Sequence, residues 1–174
     1  MHITSTHRQG GAALLIVLII LVLVTLMGLT TMKASVLQEK MSGGNADKTL
    51  AFQATELALR DAERYIDNEL TSASGFTNGC TAGLCLPVTD GSFVLAYFDW
   101  DAKALTYGAQ TGAPALGGVA RQPQYFIELL PDMPPPLGDT VRAAATGTPY
   151  RITAIGYGRQ GATRVILQST FYKP

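Results

Sequence analysis

No residue between Gln9 and Met32 carries a charge, and residues 12–24 are unbroken hydrocarbon. As helix, at about 1.5 Å per residue, the uncharged run spans roughly 36 Å, close to the thickness of a bilayer core. A short polar stretch, residues 1–11, precedes it, with Arg8 as its only full charge. This run also explains why charged residues make up only 15% of the chain, against about a quarter in ordinary soluble domains. Thirteen basic residues balance 13 acidic ones, and no run of Lys or Arg stands out. Specific binding of nucleic acid through phosphate neutralisation is therefore disfavoured. Aromatic and branched residues continue to the C-terminus, which excludes low-complexity disorder.

Three readings of the apolar run compete. A secretory signal peptide needs a small-residue cleavage site after the run, and Met32, Lys33 and Ala34 make a poor one. An uncleaved signal anchor is the second. The third is a prepilin, in which a leader is cut off after a glycine in front of the run and the run is kept. The continuation favours the third. Ala51, Ala54, Ala58, Ala62, Tyr65 and Ile66 recur at spacings of three and four, one face of an amphipathic helix. Glu56 and Arg60 stand at i,i+4 on another face, where a solvated surface is the plain reading. The sequence thus predicts one helix from residue 12 to about 70, with a soft joint at Gly43 and Gly44, since consecutive glycines cost about 1 kcal/mol each. Residues 1–11 are a leader, 12–32 the membrane or filament-core helix, 33–70 its amphipathic continuation and 71–174 a sheet domain.

Four segments in that domain read as strands: residues 92–100, 124–131, 150–158 and 164–172. The last two, joined by residues 159–163 with Gly161, read as a hairpin. In the last, Val165, Leu167, Ser169 and Phe171 alternate with Ile166, Gln168, Thr170 and Tyr172, so one face suits a core better. Strands following a long helix predict an α+β domain whose sheet covers the helix's apolar face. Residues 101–122 and 132–149 are connections rich in Gly and Pro, and Pro134, Pro135 and Pro136 are read as extended.

Cys80 and Cys85 enclose four residues without the further ligands a tetrahedral metal needs. Outside the cytoplasm they form a disulfide that shapes the loop; otherwise they are two free thiols. If the leader is removed, His2 and His7 leave with it, and no imidazole remains for a triad, a general base or a metal shell. The paired glycines Gly117 and Gly118, and Gly156 with Gly158, open no helix and make no phosphate cradle. Asp99 and Asp101 flank Trp100 at a predicted strand end, best read as a solvated turn. Asp132 and Asp139 on the Pro-rich connection are a remote calcium candidate. The chain is read as a non-enzyme without metal or cofactor.

The run GA at Gly11 and Ala12 followed by apolar helix, LQEKMSGGN from Leu37 to Asn45, and LAFQATELALRDAE from Leu50 to Glu63 together resemble the PilX family of minor pilins of type IV pili. The C-terminal YRITA from Tyr150 to Ala154, with Gly156, Gly158 and the strand holding Leu167, Gln168 and Ser169, resembles the end of the same family. Residues 71–123 carry no resemblance. The resemblance implies a type IV pilin-like fold, with a long N-terminal helix against a four-stranded antiparallel sheet. It implies a prepilin in the inner membrane with a periplasmic domain, cleaved by prepilin peptidase between Gly11 and Ala12 and N-methylated on Ala12. Gly10 is the alternative boundary. It implies as partners other minor pilins, the major pilin, the inner-membrane assembly platform and a tip adhesin, and as role the priming of assembly and cell adhesion from a tip complex. One departure stands out: the usual glutamate at the fifth mature position is Ile16 here, a feature shared with the tip pseudopilin of type II secretion. A secretion pseudopilin, or a membrane-anchored periplasmic binding domain, are the alternatives.

Overall fold

A single helix, α1, occupies Gly10–Asn68 and passes through Gly43 and Gly44 without interruption. The computed structural model describes residues 10–70, 74–87, 95–131 and 147–173. The expected soft joint does not break the hydrogen-bonded ladder. Glycine lowers helix propensity without removing a donor, and flanking turns propagate the helix across two such residues. The described chain nevertheless parts into two compact units between Gly44 and Asn45.

In the first unit the span Gly11–Gly28 is apolar on every side and buries none of its surface within the protein. Leu14, Met27 and Leu21 are among its exposed side chains. Its one polar side chain, Thr25, returns its hydroxyl to the Val22 carbonyl at 2.8 Å, so no donor is left over. Such a surface is stable only in lipid or against other helices.

The second unit is built on the other half of α1. Of the predicted face, Ala51, Ala54, Ala58, Ala62 and Ile66 are buried, while Tyr65 is half-buried. After α1 come β1 (Leu84–Cys85), a 3-10 turn at Leu95–Tyr97, a one-turn helix α2 (Trp100–Lys103), β2 (Leu105–Thr106), β3 (Gln124–Leu129), β4 (Thr148–Tyr157) and β5 (Arg164–Lys173). They form a five-stranded sheet in the order β1-β3-β4-β5, with β2 also paired to β3. The predicted hairpin is β4–β5, in register from Tyr157 opposite Arg164 to Thr148 opposite Lys173.

Two corrections follow. The sheet is mixed rather than four-stranded and antiparallel, because β1 runs parallel to β3 with Leu84 opposite Ile127. Residues 92–100 are no strand where they are described. The Asp99 side chain accepts the Ala102 N–H at 3.1 Å and caps α2, so the chain turns there. The aromatic richness that suggested a strand serves packing: Phe98 and Trp100 lie against Phe126, with ring centroids 4.3 and 5.5 Å away.

The core lies between α1 and one sheet face. Tyr125 and Ile127 of β3, and Tyr150, Ile152 and Ala154 of β4, meet Ala58, Leu59, Ala62, Ile66 and Leu70. Burying each large side chain there contributes about 2 kcal/mol. On β5, Val165, Leu167, Ser169 and Phe171 are half-buried while the residues between them are exposed.

Candidate functional site

The site of interest is α1 itself, apolar over Gly11–Gly28 and gripped by the rest of the domain beyond Gly44. Gly11 and Ala12 lie at the start of α1 and are exposed. Ile16, five positions into the apolar run counted from Ala12, is 56% exposed. Nothing lies within 4 Å of where a side chain on Gly11 would begin.

Four contacts hold the other half of α1 to the sheet and its connecting loops. At Gly156 the helix comes so near that an added Cβ would stand 2.6 Å from both the Ala51 carbonyl and the Thr55 nitrogen. Thr55 gives its hydroxyl to Ala51 at 2.7 Å and to the Val165 carbonyl at 3.1 Å. Further along, Lys173 at the end of β5 donates from Nζ to the carbonyls of Ile66, Asp67 and Leu70 at 2.7, 3.0 and 2.7 Å. It thereby satisfies carbonyls that a helix C-terminus leaves without partners.

Asp61 is the third contact, a fully buried carboxylate on the face of alanines. It accepts the Gly108 N–H at 2.9 Å and the Thr111 hydroxyl, with the Arg64 guanidinium 3.5 Å away. Gly108 sits at φ +77°, and that turn presents its N–H to the helix. The Tyr125 hydroxyl, buried near this carboxylate, makes no hydrogen bond of ordinary geometry. Burial first, and then the Asp61 charge, push the phenol above its usual range and keep it neutral. Asp61→Ala leaves the half-buried Gly108 N–H and Thr111 hydroxyl without this partner. It should cost about 3 kcal/mol and lower the thermal midpoint of the full chain in detergent micelles by on the order of 10 °C. An unchanged midpoint would show that water replaces the carboxylate freely.

Asp47 is the fourth contact. The Thr163 hydroxyl, and then the Arg159 N–H at 2.6 Å, hold its carboxyl below the ordinary carboxylate value. A depressed carboxylate lends stability that is fully present above the unfolded pKa of about 4 and fades as pH falls through the lower folded value. Protection of residues 159–163 against amide exchange should therefore drop on acidification below about pH 4. Asp47→Asn should remove that acid dependence.

The remaining predicted residues fall into structural roles. Cys80 and Cys85 are joined by a disulfide, and between them Ala82 and Gly83 take φ of +48° and +73°. The disulfide closes the turn that leads into β1. Asp101 pairs with Arg121, which also donates to Gln124 at 3.1 Å and lies 5.0 Å above the Tyr157 ring. Asp99 is the cap described above, so neither acid is free for chemistry. Glu128 and Arg151, opposite each other on β3 and β4, form a two-bond ion pair at 2.7 and 2.8 Å with the carboxylate buried. That hydrogen bonding raises the Arg151 pKa. Sequence reasoning passed over Asp61, Glu128 and Lys173. Their one signal was a charge amid apolar spacing, and nothing local names a partner. His2, His7, Asp132, Asp139 and the three prolines lie outside the described residues. Among the described residues no group of three His, Cys, Asp or Glu could hold a metal ion. The arrangement positions a helix against the rest of the domain.

Compared with known protein families, residues 9–60 match the one described as PilX N-terminal, and residues 68–173 match the one described as type IV pilus assembly protein PilX C-term. No curated protein and no solved structure matches the chain.

Proposed function

The chain belongs to the PilX family of type IV pilus assembly proteins, and from that premise we propose that it is a minor pilin which primes pilus assembly and stays in the tip complex. In this reading the leader ends at Gly11, Ala12 becomes the methylated first residue, and the domain faces the periplasm from the inner membrane until assembly. Residues 12–32 then cross the membrane, and later the filament core. Residues 33–70 carry that helix into the sheet domain of residues 71–174.

The observation that carries the tip position is Ile16. A mature pilin begins with a positive amine that ends among apolar helices, where an unpaired charge costs several kcal/mol. A glutamate at the fifth position neutralises the amine of the subunit ahead. Ile16 offers hydrocarbon on an exposed helix surface and neutralises nothing. The amine of Ala12, by contrast, is free to be met by the glutamate of the next subunit. A subunit that can be followed but cannot follow belongs first. Epitope tags on the sheet domain should therefore decorate one end of sheared pili, and Ile16→Glu should raise the number of tags per filament. Tags spaced along the shaft in the unaltered protein would overturn the assignment.

A further inference from the structure

Residues 77–86 fold largely onto themselves. The Thr77 carbonyl accepts the Leu86 and Cys80 N–H groups at 2.9 and 3.2 Å, and its hydroxyl meets that of Thr81 at 3.0 Å. Thr81 and Leu84 exchange both main-chain bonds, at 3.2 and 3.0 Å, around the two-residue turn of Ala82 and Gly83. Gly83 ties this loop to the rest of the domain. Its N–H reaches the Lys103 carbonyl at 2.8 Å, and its carbonyl accepts the Ile127 N–H at 2.7 Å. β1 adds only two residues of pairing with β3, against 10 in each strand of the β4–β5 hairpin.

The backbone here is not one that side chains favour. Cys80 and Ala82 take φ of +59° and +48°, and among the described residues no other residue with a side chain stands in the left-handed region. Such positions persist only where their surroundings over-determine them. The Cys80–Cys85 disulfide spans this turn and fixes Cys80 directly. Its two sulfurs differ in access, because Cys85 is 1% exposed and Cys80 is half-buried.

We propose that the disulfide is a redox-sensitive latch. Oxidised, it seats β1 on the edge of β3; reduced by a dithiol, it frees residues 77–86 and opens that edge, while α1, β3, β4 and β5 stay folded. A thiolate of the dithiol attacks the more accessible Cys80 sulfur, and the electron pair of the broken S–S bond leaves on Cys85, which takes a proton. The second thiolate of the dithiol then attacks the mixed disulfide. It releases Cys80, which is protonated in turn, and closes the disulfide of the reductant. Two electrons and two protons have passed to the protein. A protein disulfide acting as oxidant reverses each step. In an oxidising compartment the closed form persists, so a chain delivered there with its thiols reduced gains its parallel strand only on oxidation. The proposed periplasmic placement enters only through that compartment, and the latch itself is read in micelles.

The readout lies in β3. The Ile127 N–H points to β1, so antiparallel alternation turns those of Phe126 and Glu128 towards β4. The full-length chain in detergent micelles is treated with dithiothreitol, which has one target because the chain has two cysteines. Exchange of the Ile127 amide should quicken about tenfold or more, while Phe126, Glu128 and the buried face of α1 keep their rates within about twofold. Iodoacetamide should then label Cys85 as well as Cys80, and reoxidation of unlabelled protein should restore the slow Ile127 rate. Cys80→Ser should show the fast Ile127 rate without any reductant. A bond that resists the dithiol in the folded chain overturns the proposal. So does a reduced chain in which Ile127 stays protected or Cys85 stays unlabelled, since the turn then stands without its disulfide. Loss of protection at Phe126, Glu128 and along α1 as well also overturns it, because the bond then staples the whole domain and latches no single strand.

Discussion

Gly11→Val should leave the chain in the membrane at its full mass, with Met1 still in place, whereas the proposed processing should remove residues 1–11 from the unaltered protein and add one methyl group. A peptidase that fits glycine beside the scissile bond has no space for a branched side chain. A clash of only about 3 kcal/mol in its transition state slows cleavage more than 100-fold. The folded protein does not feel the change. Nothing lies within 4 Å of the new side chain, so the failure belongs to processing and not to stability. Pili that depend on this subunit should then vanish, because without the cut no new N-terminal amine is formed at Ala12. Intact mass of protein taken from the native membrane is the measurement. Normal maturation of Gly11→Val, or cleavage that stops only on changing Gly10, would move or remove the assigned boundary.

Gly156→Val should have the opposite character, leaving processing intact while loosening the domain. At this position the helix backbone lies against the strand, and the new Cβ would stand 2.6 Å from the Ala51 carbonyl and the Thr55 nitrogen. Neither is the end of a flexible side chain, so α1 has to lift. Lifting strains the bonds from Thr55 to Ala51 and Val165 and opens space beside Ala54 and Ala58, which are buried. Overpacking of this kind costs about 3 kcal/mol or more, a large share of the 5–15 kcal/mol that holds a typical domain. The thermal midpoint in micelles should fall by roughly 10 °C or more. Gly79→Ala is the matched control, since nothing lies within 4 Å of its added carbon. Equal midpoints for the two variants would show that the helix yields at no cost.

The lesson of Gly156 is general for this chain. As sequence, Gly156 and Gly158 read as failed phosphate cradles, and nothing nearby hints at a helix. Their role exists because Ala51, Thr55 and Asp47, about a hundred positions earlier, come within a carbon's width of them. Asp61 is similar: its partner Gly108 lies 47 positions away, so no local window joins them. Residues 92–100 misled for a related reason. Aromatic content signals burial, and burial against Phe126 was met by a capped turn at Asp99 instead of a strand. β1 and β2, two residues each, are too short to leave a pattern, and the parallel pairing of β1 makes the sheet mixed.

What the sequence determined by itself is everything with a short period or a single chemical requirement. The uncharged run required an apolar helix, the spacing of Ala51, Ala54, Ala58, Ala62, Tyr65 and Ile66 marked a face of which all but the half-buried Tyr65 is buried, and alternation in residues 165–172 marked that β5 has one inward side without saying which. These follow from side chains repeating at 3.6 or 2.0 residues, which the chain carries in its own order. Tertiary structure alone decided which strand borders which, how close α1 comes to Gly156, where the charges of Asp61, Glu128 and Lys173 find partners, and that β5 is left at the edge. Each of those depends on two groups far apart in sequence meeting at hydrogen-bond or contact distance, and only the folded chain brings them there.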